Sequence, residues 1–387
     1  MQEISERLVR DGHTVTVYTT DAFDVELFWK PGWRRIPVRE EEHNGVRIRR
    51  FPVRHLPFHF PLTLTLGLLP LRKVDLLIRQ PSPVVPELMH AIGDDFDVVH
   101  TTSLPYNSIL FAGYRLARRS GARLVTTPHV HTAEPGSDRG ARMYMRSAQR
   151  WLLAQSDIVV ARTPREADYL TARGFAAQRL RVIACGINPS ELTGGDGPRF
   201  RARHGLSTGE PIVFAVGTRA FDKGTQHLVE AMRVLWRGGT CATLVLAGGS
   251  QPDFRRFWRR QTREVRERTL VLDTVSEADK LDLLAAGQVF AMPSRSDSFG
   301  IVYLEAWSYG VPVIGADAGG VPDVITDGQD GLIVPFGDVA TLASSIARLL
   351  DTPELRDRLG SAGRRKALGR WTWDALFGDF RALYASA

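Results

Sequence analysis

Short β-branched runs alternate with helix-periodic stretches along the whole chain, and no other feature of the sequence limits the fold as much. Strands are predicted at 14–19, 46–53, 97–100, 123–127 and 157–161, with helices at 107–119, 143–155 and 164–173. The rhythm then resumes. Strands are predicted at 212–216, 242–247, 269–272, 289–292, 312–314 and 332–334, and helices at 226–236, 254–267, 279–286, 301–309 and 340–350. Near-continuous apolar strands such as IVFAV (212–216) are what a parallel sheet covered on both faces requires. Between the two series, GINPSELTGGDGPRFRARHGLSTGEP (186–211) is dense in turn formers. The expectation is α/β: two facing doubly wound Rossmann-like domains with a cleft between them. They are placed at 1–190 and 191–370, and the aromatic-rich segment 371–387 is a helix returning toward the first.

At 387 residues and 43% hydrophobic the chain can bury two cores. Its two cysteines, Cys185 and Cys241, have no ligand spacing around them, which argues against a disulfide framework or a cysteine-built metal site. The opening residues do not read as a leader peptide, and no apolar run reaches the roughly 18 residues of a membrane span. These features predict a cytoplasmic protein. The formal charge of +7 belongs wholly to residues 1–190, which suggests an anionic partner or an acidic membrane face on that side. The basic residues are not interleaved with aromatics as a nucleic-acid track would need. HLPFHFPLTLTLGLLPLRK (55–73) is apolar and interrupted by prolines, so a loop packed over the domain is favoured over a lipid-touching segment.

Candidate chemistry collects where strands end. In VGTRAFDKGTQHLVEA (216–231), Gly217, Arg219, Lys223 and Gly224 form a turn of the kind that offers backbone donors and positive charge to an anion. It is neither a Walker loop nor a GxGxxG fingerprint, and a capped turn with solvated side chains explains it equally well. Gly248, after the strand at 242–247, permits a tight turn or close approach of a ligand. SRSDSFGIVYLEAWSYG (294–310) places Asp297 in a loop and Glu305 one turn into a helix, with the amides of Phe299 and Gly300 at the helix start. A carboxylate can accept from two adjacent hydroxyls, so Glu305 suits a ribose and Asp297 a hexose; an N-cap and an exposed helical acid are the plain alternatives. In ADAGGVPDV (316–324), Gly319, Gly320 and Val321 could line the cleft. His129 and His131 follow the strand at 123–127; substrate contact is favoured over metal for His129, since no further ligand set completes a metal pattern. No metal site is expected.

These segments resemble the retaining glycosyltransferases of family 4, with the glycosyltransferase-B fold. GTRAFDKG (217–224), DSFGIVYLEAWSYGVPVIG (297–315) and AGGVPDVITDGQDGLIVPFGD (318–338) carry the likeness, and the second is the strongest. The resemblance implies transfer of a hexose-type sugar from a nucleotide diphosphate sugar to a hydroxyl acceptor, phosphorylated, lipid-linked or neither. It implies no metal and no cofactor beyond that donor. Arg219 and Lys223 would meet the diphosphate, Glu305 the ribose, Asp297 with the Phe299 and Gly300 amides the sugar, and His129 the sugar from the other side. Contact with the inner face of a membrane fits such acceptors; nucleic acid does not. The alternatives are a nucleotide-sugar epimerase or a catalytically impaired nucleotide-sugar-binding protein. Asp297 and Ser298 depart from the family's usual glutamate and proline, making donor preference the property to examine. The family's first strand and glycine-rich loop have no counterpart before the opening helix. The expectation is that about two dozen residues precede Met1 in the natural product, from a misplaced start codon, or else that catalysis is impaired.

Overall fold

The structure is a computed structural model that describes residues 1–55, 83–91, 95–137 and 139–385. The stretch 55–73 lies, apart from His55, outside these residues. Among the described residues, thirteen strands are arranged in three sheets. β1 (Thr16–Thr20), β2 (Glu40–His43) and β3 (Val46–Phe51) form the first, in the order β1-β3-β2, with β1 parallel and β2 antiparallel to β3. β4 (Val98–Thr102), β5 (Arg123–Thr127), β6 (Ile158–Ala161) and β7 (Leu180–Val182) make a parallel sheet in chain order. Among the described residues of the first half the strands fall in two sheets, and β1 and β4 do not hydrogen-bond to each other.

The second half has a single parallel sheet of β8 (Ile212–Val216), β9 (Thr243–Ala247), β10 (Thr269–Leu272), β11 (Val289–Ala291), β12 (Val313–Ala316) and β13 (Gly331–Val334), ordered β10-β9-β8-β11-β12-β13. Successive residues of β8 enter different cores. Phe214 and Val216 pack with Phe290, Tyr303 and Trp307 on one face, whereas Val213 and Ala215 pack with Leu228, Met232 and Ile346 on the other. This period of two, with both faces covered by helices, is why β8, β9, β11 and β12 are buried at every position. The chain winds outward from β8 to β10, then restarts at β11 on the other side of β8. The β8/β11 boundary is thus a topological switch point, where the two following loops diverge and leave a crevice.

Some helices were not legible as predicted. The helix expected at 254–267 is two, Pro252–Trp258 and Arg263–Glu267, since Thr262 caps a new start by accepting from the Val265 amide. An unpredicted helix, Pro353–Arg370, leads into Trp373–Ala385. The latter buries Trp373, Phe377, Phe380 and Leu383 against Ile4, Val125, Ile158 and Val160 of the first half.

Candidate active site

The two loops that diverge at the switch point bring Lys223 and Asp297 together. After β8 the chain makes a tight turn, Phe221–Lys223, closed by Gly224 in the left-handed region at φ 72°. A Cβ at Gly224 would collide with the Pro293 carbonyl, so glycine is what lets the post-β8 loop lie against the post-β11 loop. There Lys223 Nζ donates to Asp297 Oδ1 at 2.6 Å. Asp297 Oδ2 is buried and has no partner among the described residues. Burial pushes this carboxyl up, but the Lys223 charge and hydrogen bond, with help from Ser294, hold it below the usual aspartate value. The result is a buried carboxylate with one oxygen satisfied and one open.

Gly300 caps the helix Ile301–Ser308 at φ 89°, and Tyr303 Oη donates to the Met292 carbonyl at 2.6 Å, fixing the helix to the end of β11. Phe299 is buried with its ring edge-on to Trp371 at 5.5 Å, so it offers the crevice only backbone. The amides of Phe299 and Gly300 have no acceptor among the described residues. Glu305 lies on this helix, and its Oε1 accepts from Lys280 Nζ at 3.0 Å. Lys280, on the helix Glu277–Ala286, also pairs with Glu277 at 2.6 Å. Burial lowers the Lys280 pKa, but the two carboxylates prevail and raise it.

Arg219 does not join this group. Its side chain is 2% exposed, and all five of its N–H donors are taken. Nε reaches Ser250 Oγ at 3.0 Å, Nη1 the carbonyls of Leu246 and Leu272 at 3.1 and 2.9 Å, and Nη2 Ser250 Oγ at 2.8 Å and the Asp273 carboxylate. In this structure the guanidinium ties together the ends of β9 and β10, and contact with a diphosphate requires exchange of Ser250 or the exposed Asp273 for it. Gly217 and Gly248 have a similar explanation. Both have φ well into the positive region, at 139° and 127°, and a Cβ on Gly248 would overlap the Gly217 carbonyl. Their role visible here is close packing of adjacent strand ends.

From the first half, the 129–133 loop reaches the same place. Its backbone is held in the left-handed region at His129 (φ 53°) and Ala133 (φ 62°), and the Ala133 carbonyl accepts from the Gly319 amide at 2.8 Å. The Gly320 amide in turn donates to the Asp297 carbonyl at 2.9 Å, so Gly319 and Gly320 link the histidine loop to the acid. Burial, then the charge of Arg162, lowers the His129 pKa to about 3. Burial likewise takes His131 down to about 4, against the pull of Asp297. Both imidazoles are neutral near pH 7. His131 Nδ1 lies 3.1 Å from Tyr144 Oη.

Sequence reasoning missed the group beneath this loop. Glu166 is buried, and its two oxygens accept from the Val130 amide at 2.6 Å and the Arg162 amide at 2.7 Å. Burial raises its pKa to about 7, with the backbone donors acting in the opposite direction. A signal existed: TPRE (163–166) after a strand is the S/T-x-x-E helix-start pattern, and Thr163 Oγ1 does accept from the Glu166 amide at 3.2 Å. The bridges across the cleft were also missed. Arg165 reaches Asp323 through its amide at 2.7 Å and Asp317 through Nη1 at 3.0 Å, and Arg295, held within its own half by Asp222 at 2.8 Å, reaches Glu134 at 3.3 Å.

A parallel sheet whose switch-point loops present a lysine, a buried open carboxylate and free helix-start amides, faced by a second α/β half, defines a two-Rossmann, glycosyltransferase-B architecture. The profile described as "Glycosyl transferases group 1" matches residues 196–366, and "Glycosyl transferase 4-like domain" matches 1–186. A D-inositol 3-phosphate glycosyltransferase of Xylanimonas cellulosilytica is 31% identical over 76% of this chain and 72% of its own. Another, from Catenulispora acidiphila, is 27% identical over 97% and 89%. Among solved structures, sucrose-phosphate synthase of Thermosynechococcus elongatus superposes with TM-score 0.76 at 24% identity, covering 100% of this chain and 93% of that one. Anabaena HepE in complex with UDP-glucose gives TM-score 0.67 at 18% identity over 89% and 87%. The chain belongs to the family 4 glycosyltransferases and is a glycosyltransferase.

Proposed function

We propose that the chain transfers a hexose-type sugar from a nucleotide diphosphate sugar to an acceptor hydroxyl, with retention at the donor carbon and without a metal. The observation that carries this reading is the Lys223–Asp297 pair at the switch point, with one Asp297 oxygen left open and buried. When the donor binds, Lys223 neutralises the diphosphate, the charge that grows on the leaving group in the transition state. The free amides of Phe299 and Gly300 receive phosphate or sugar oxygens at the positive end of their helix. Asp297 orients a hydroxyl of the transferred sugar, and Glu305 receives the ribose diol with the oxygen that Lys280 does not occupy. His129, neutral near pH 7, contacts the sugar from the first half. Arg219 meets the diphosphate alongside Lys223 by exchanging Ser250 or Asp273 for it.

HepE is titled as binding UDP-glucose, and a relative from Corynebacterium glutamicum is named as GDP-mannose-dependent; both support a nucleoside diphosphate donor here. The names of the inositol phosphate relatives and the charge of residues 1–190 support an anionic acceptor, taken up from the cytoplasm or at a membrane face.

The test is a panel of UDP- and GDP-sugars with inositol phosphate and glycolipid acceptors, read by product mass and by the anomeric configuration in NMR. Lys223→Ala should lower kcat by about 100-fold. Asp297→Glu, which restores the longer acid, should shift the ratio of kcat/KM between donors. Absence of both nucleoside diphosphate binding and transfer for every pair would reject the reading.

A further inference from the structure

Among the described residues only two buried carboxylate oxygens lack a hydrogen-bond partner, Asp297 Oδ2 and Glu134 Oε2. A carboxylate oxygen shut away from water without a donor is costly, and folded chains leave few of them. The two come from different halves of the molecule and follow one pattern. Lys223 occupies one oxygen of Asp297, and Arg295 Nη1 donates to Glu134 Oε1 at 3.3 Å. Neither acid is loosely placed. Glu134 follows Ala133 in the histidine loop, which is fastened to the second half by the Ala133 carbonyl on the Gly319 amide at 2.8 Å and by Arg139 on Asp222. Arg295 stands two residues before Asp297, with its guanidinium over the rings of Phe221 at 5.1 Å and Phe336 at 4.7 Å. Its Nε and Nη2 donate to Asp222 Oδ1 at 3.0 and 2.8 Å. The crevice thus carries one fixed, half-satisfied acid from each half.

We propose that Glu134 receives a hydroxyl of the acceptor, so that the substrate it selects is a ring polyol, a sugar or an inositol. Paired with a guanidinium, the carboxylate accepts hydrogen bonds and donates none, so its open oxygen calls for a donor on the ligand. A phosphate group, already negative, is repelled from this position. The donor's sugar, ribose and diphosphate are provided for by Asp297, Glu305, Lys223, Arg219 and the helix-start amides, all on the second half. The open oxygen on the first half is left to the other substrate. The hydroxyl that attacks the donor must stay free to react, so the one that Glu134 holds is a second hydroxyl of the same molecule. A monohydric alcohol cannot supply both. Because Arg295 fixes Glu134 and belongs to the loop that carries Asp297, the two acids set the positions of acceptor and transferred sugar from a common base.

This role for Glu134 rests on the sugar-transfer reading, and the two are measured apart. The full chain, with the UDP- or GDP-sugar that it binds most tightly, is offered myo-inositol, D-inositol 3-phosphate, methyl α-D-mannoside and cyclohexanol. Transfer to at least one of the polyols and not to cyclohexanol is expected. Glu134→Gln keeps an acceptor for Arg295 and should raise the KM of the reacting polyol about tenfold, with donor KM, hydrolysis of the donor by water and Tm unchanged. Among monodeoxy forms of that polyol, one should cost the wild type about tenfold and the variant nothing further, the signature of a direct contact. An unchanged acceptor KM in the variant overturns the inference, as does a donor KM that rises with it or cyclohexanol reacting as well as the polyols. Should Glu134→Gln lower Tm, the deoxy series on the wild type decides: equal rates for every analogue overturn the proposal. A wild type that binds a nucleoside diphosphate but glycosylates none of the polyols also overturns it and leaves the donor reading in place. One that neither binds nor transfers rejects that reading and the role of Glu134 with it.

Discussion

At the scale of single residues, the site depends on which charges are already spoken for. Lys280 illustrates this, because it holds one oxygen of Glu305 and lies across the sequence on a different helix. Lys280→Gln should raise the donor KM by about five- to tenfold with kcat little changed, the pattern of lost uniform binding, since it disorders Glu305 without touching the reacting carbon. Steady-state kinetics with the preferred donor separate the two parameters; an equal fall in kcat would place Lys280 nearer the chemistry. The placement of Lys223 and Asp297 at strand ends and of Glu305 on the following helix was legible, because a strand end, a glycine turn and a helix start are local signals. The partners of Arg219 were not. This arginine sits next to Thr218 in an extended segment whose neighbours point to opposite faces, and only the packed ends of β9 and β10 determine which face receives the guanidinium.

At the scale of elements, the turn that carries Lys223 is built for close contact. Gly224→Ala would add a Cβ against the Pro293 carbonyl at a positive φ, so the variant should lose about 2–4 kcal/mol of stability and weaken donor binding together. Thermal melting and nucleotide titration check this, and intact donor affinity would show that the post-β8 turn does not position the lysine. Strand prediction succeeded where β-branched and apolar residues run together between turn formers, as in β5, β8 and the edge strand β10, whose bounds match the expectation. It failed at β2, which is Glu-Glu-Glu-His and exposed throughout. No local propensity marks that strand; pairing does, with Arg49 on Glu40 at 3.0 Å and Arg50 on Glu41 at 2.5 Å across to β3.

At the scale of the whole molecule, both ends of the chain meet on the first half. Arg7 pairs with Asp374 at 2.5 Å and Arg381 with Asp11 at 2.8 Å, while His100 lies 2.6 Å from Tyr384 Oη and 2.8 Å from Thr127 Oγ1. Burial and then Arg162 lower the His100 pKa to about 3, so with His129 and His131 it forms a set of imidazoles held neutral by the fold. Because these folded values lie below the unfolded value near 6.5, stability is fully present above about pH 6.5 and is lost as pH falls toward 4 and 3. Glu166, raised to about 7, acts in the opposite sense and gives stability that grows as pH falls from 7 toward 4.5. With three groups against one, Tm should fall between pH 7 and pH 5, and more shallowly in His100→Gln. A flat profile in the wild type would show that these histidines titrate as in the unfolded chain. The amino-acid sequence by itself determined the alternating α/β plan, the family and the loops that carry the lysine and the acids, because periodicity, turn chemistry and motif spacing act over a few residues. Only the tertiary structure decided how the described strands of the first half divide between sheets, the present partners of Arg219, the Lys280–Glu305 pair and the neutral histidines. Each of these depends on burial or on partners brought together from distant segments, and neither is encoded locally.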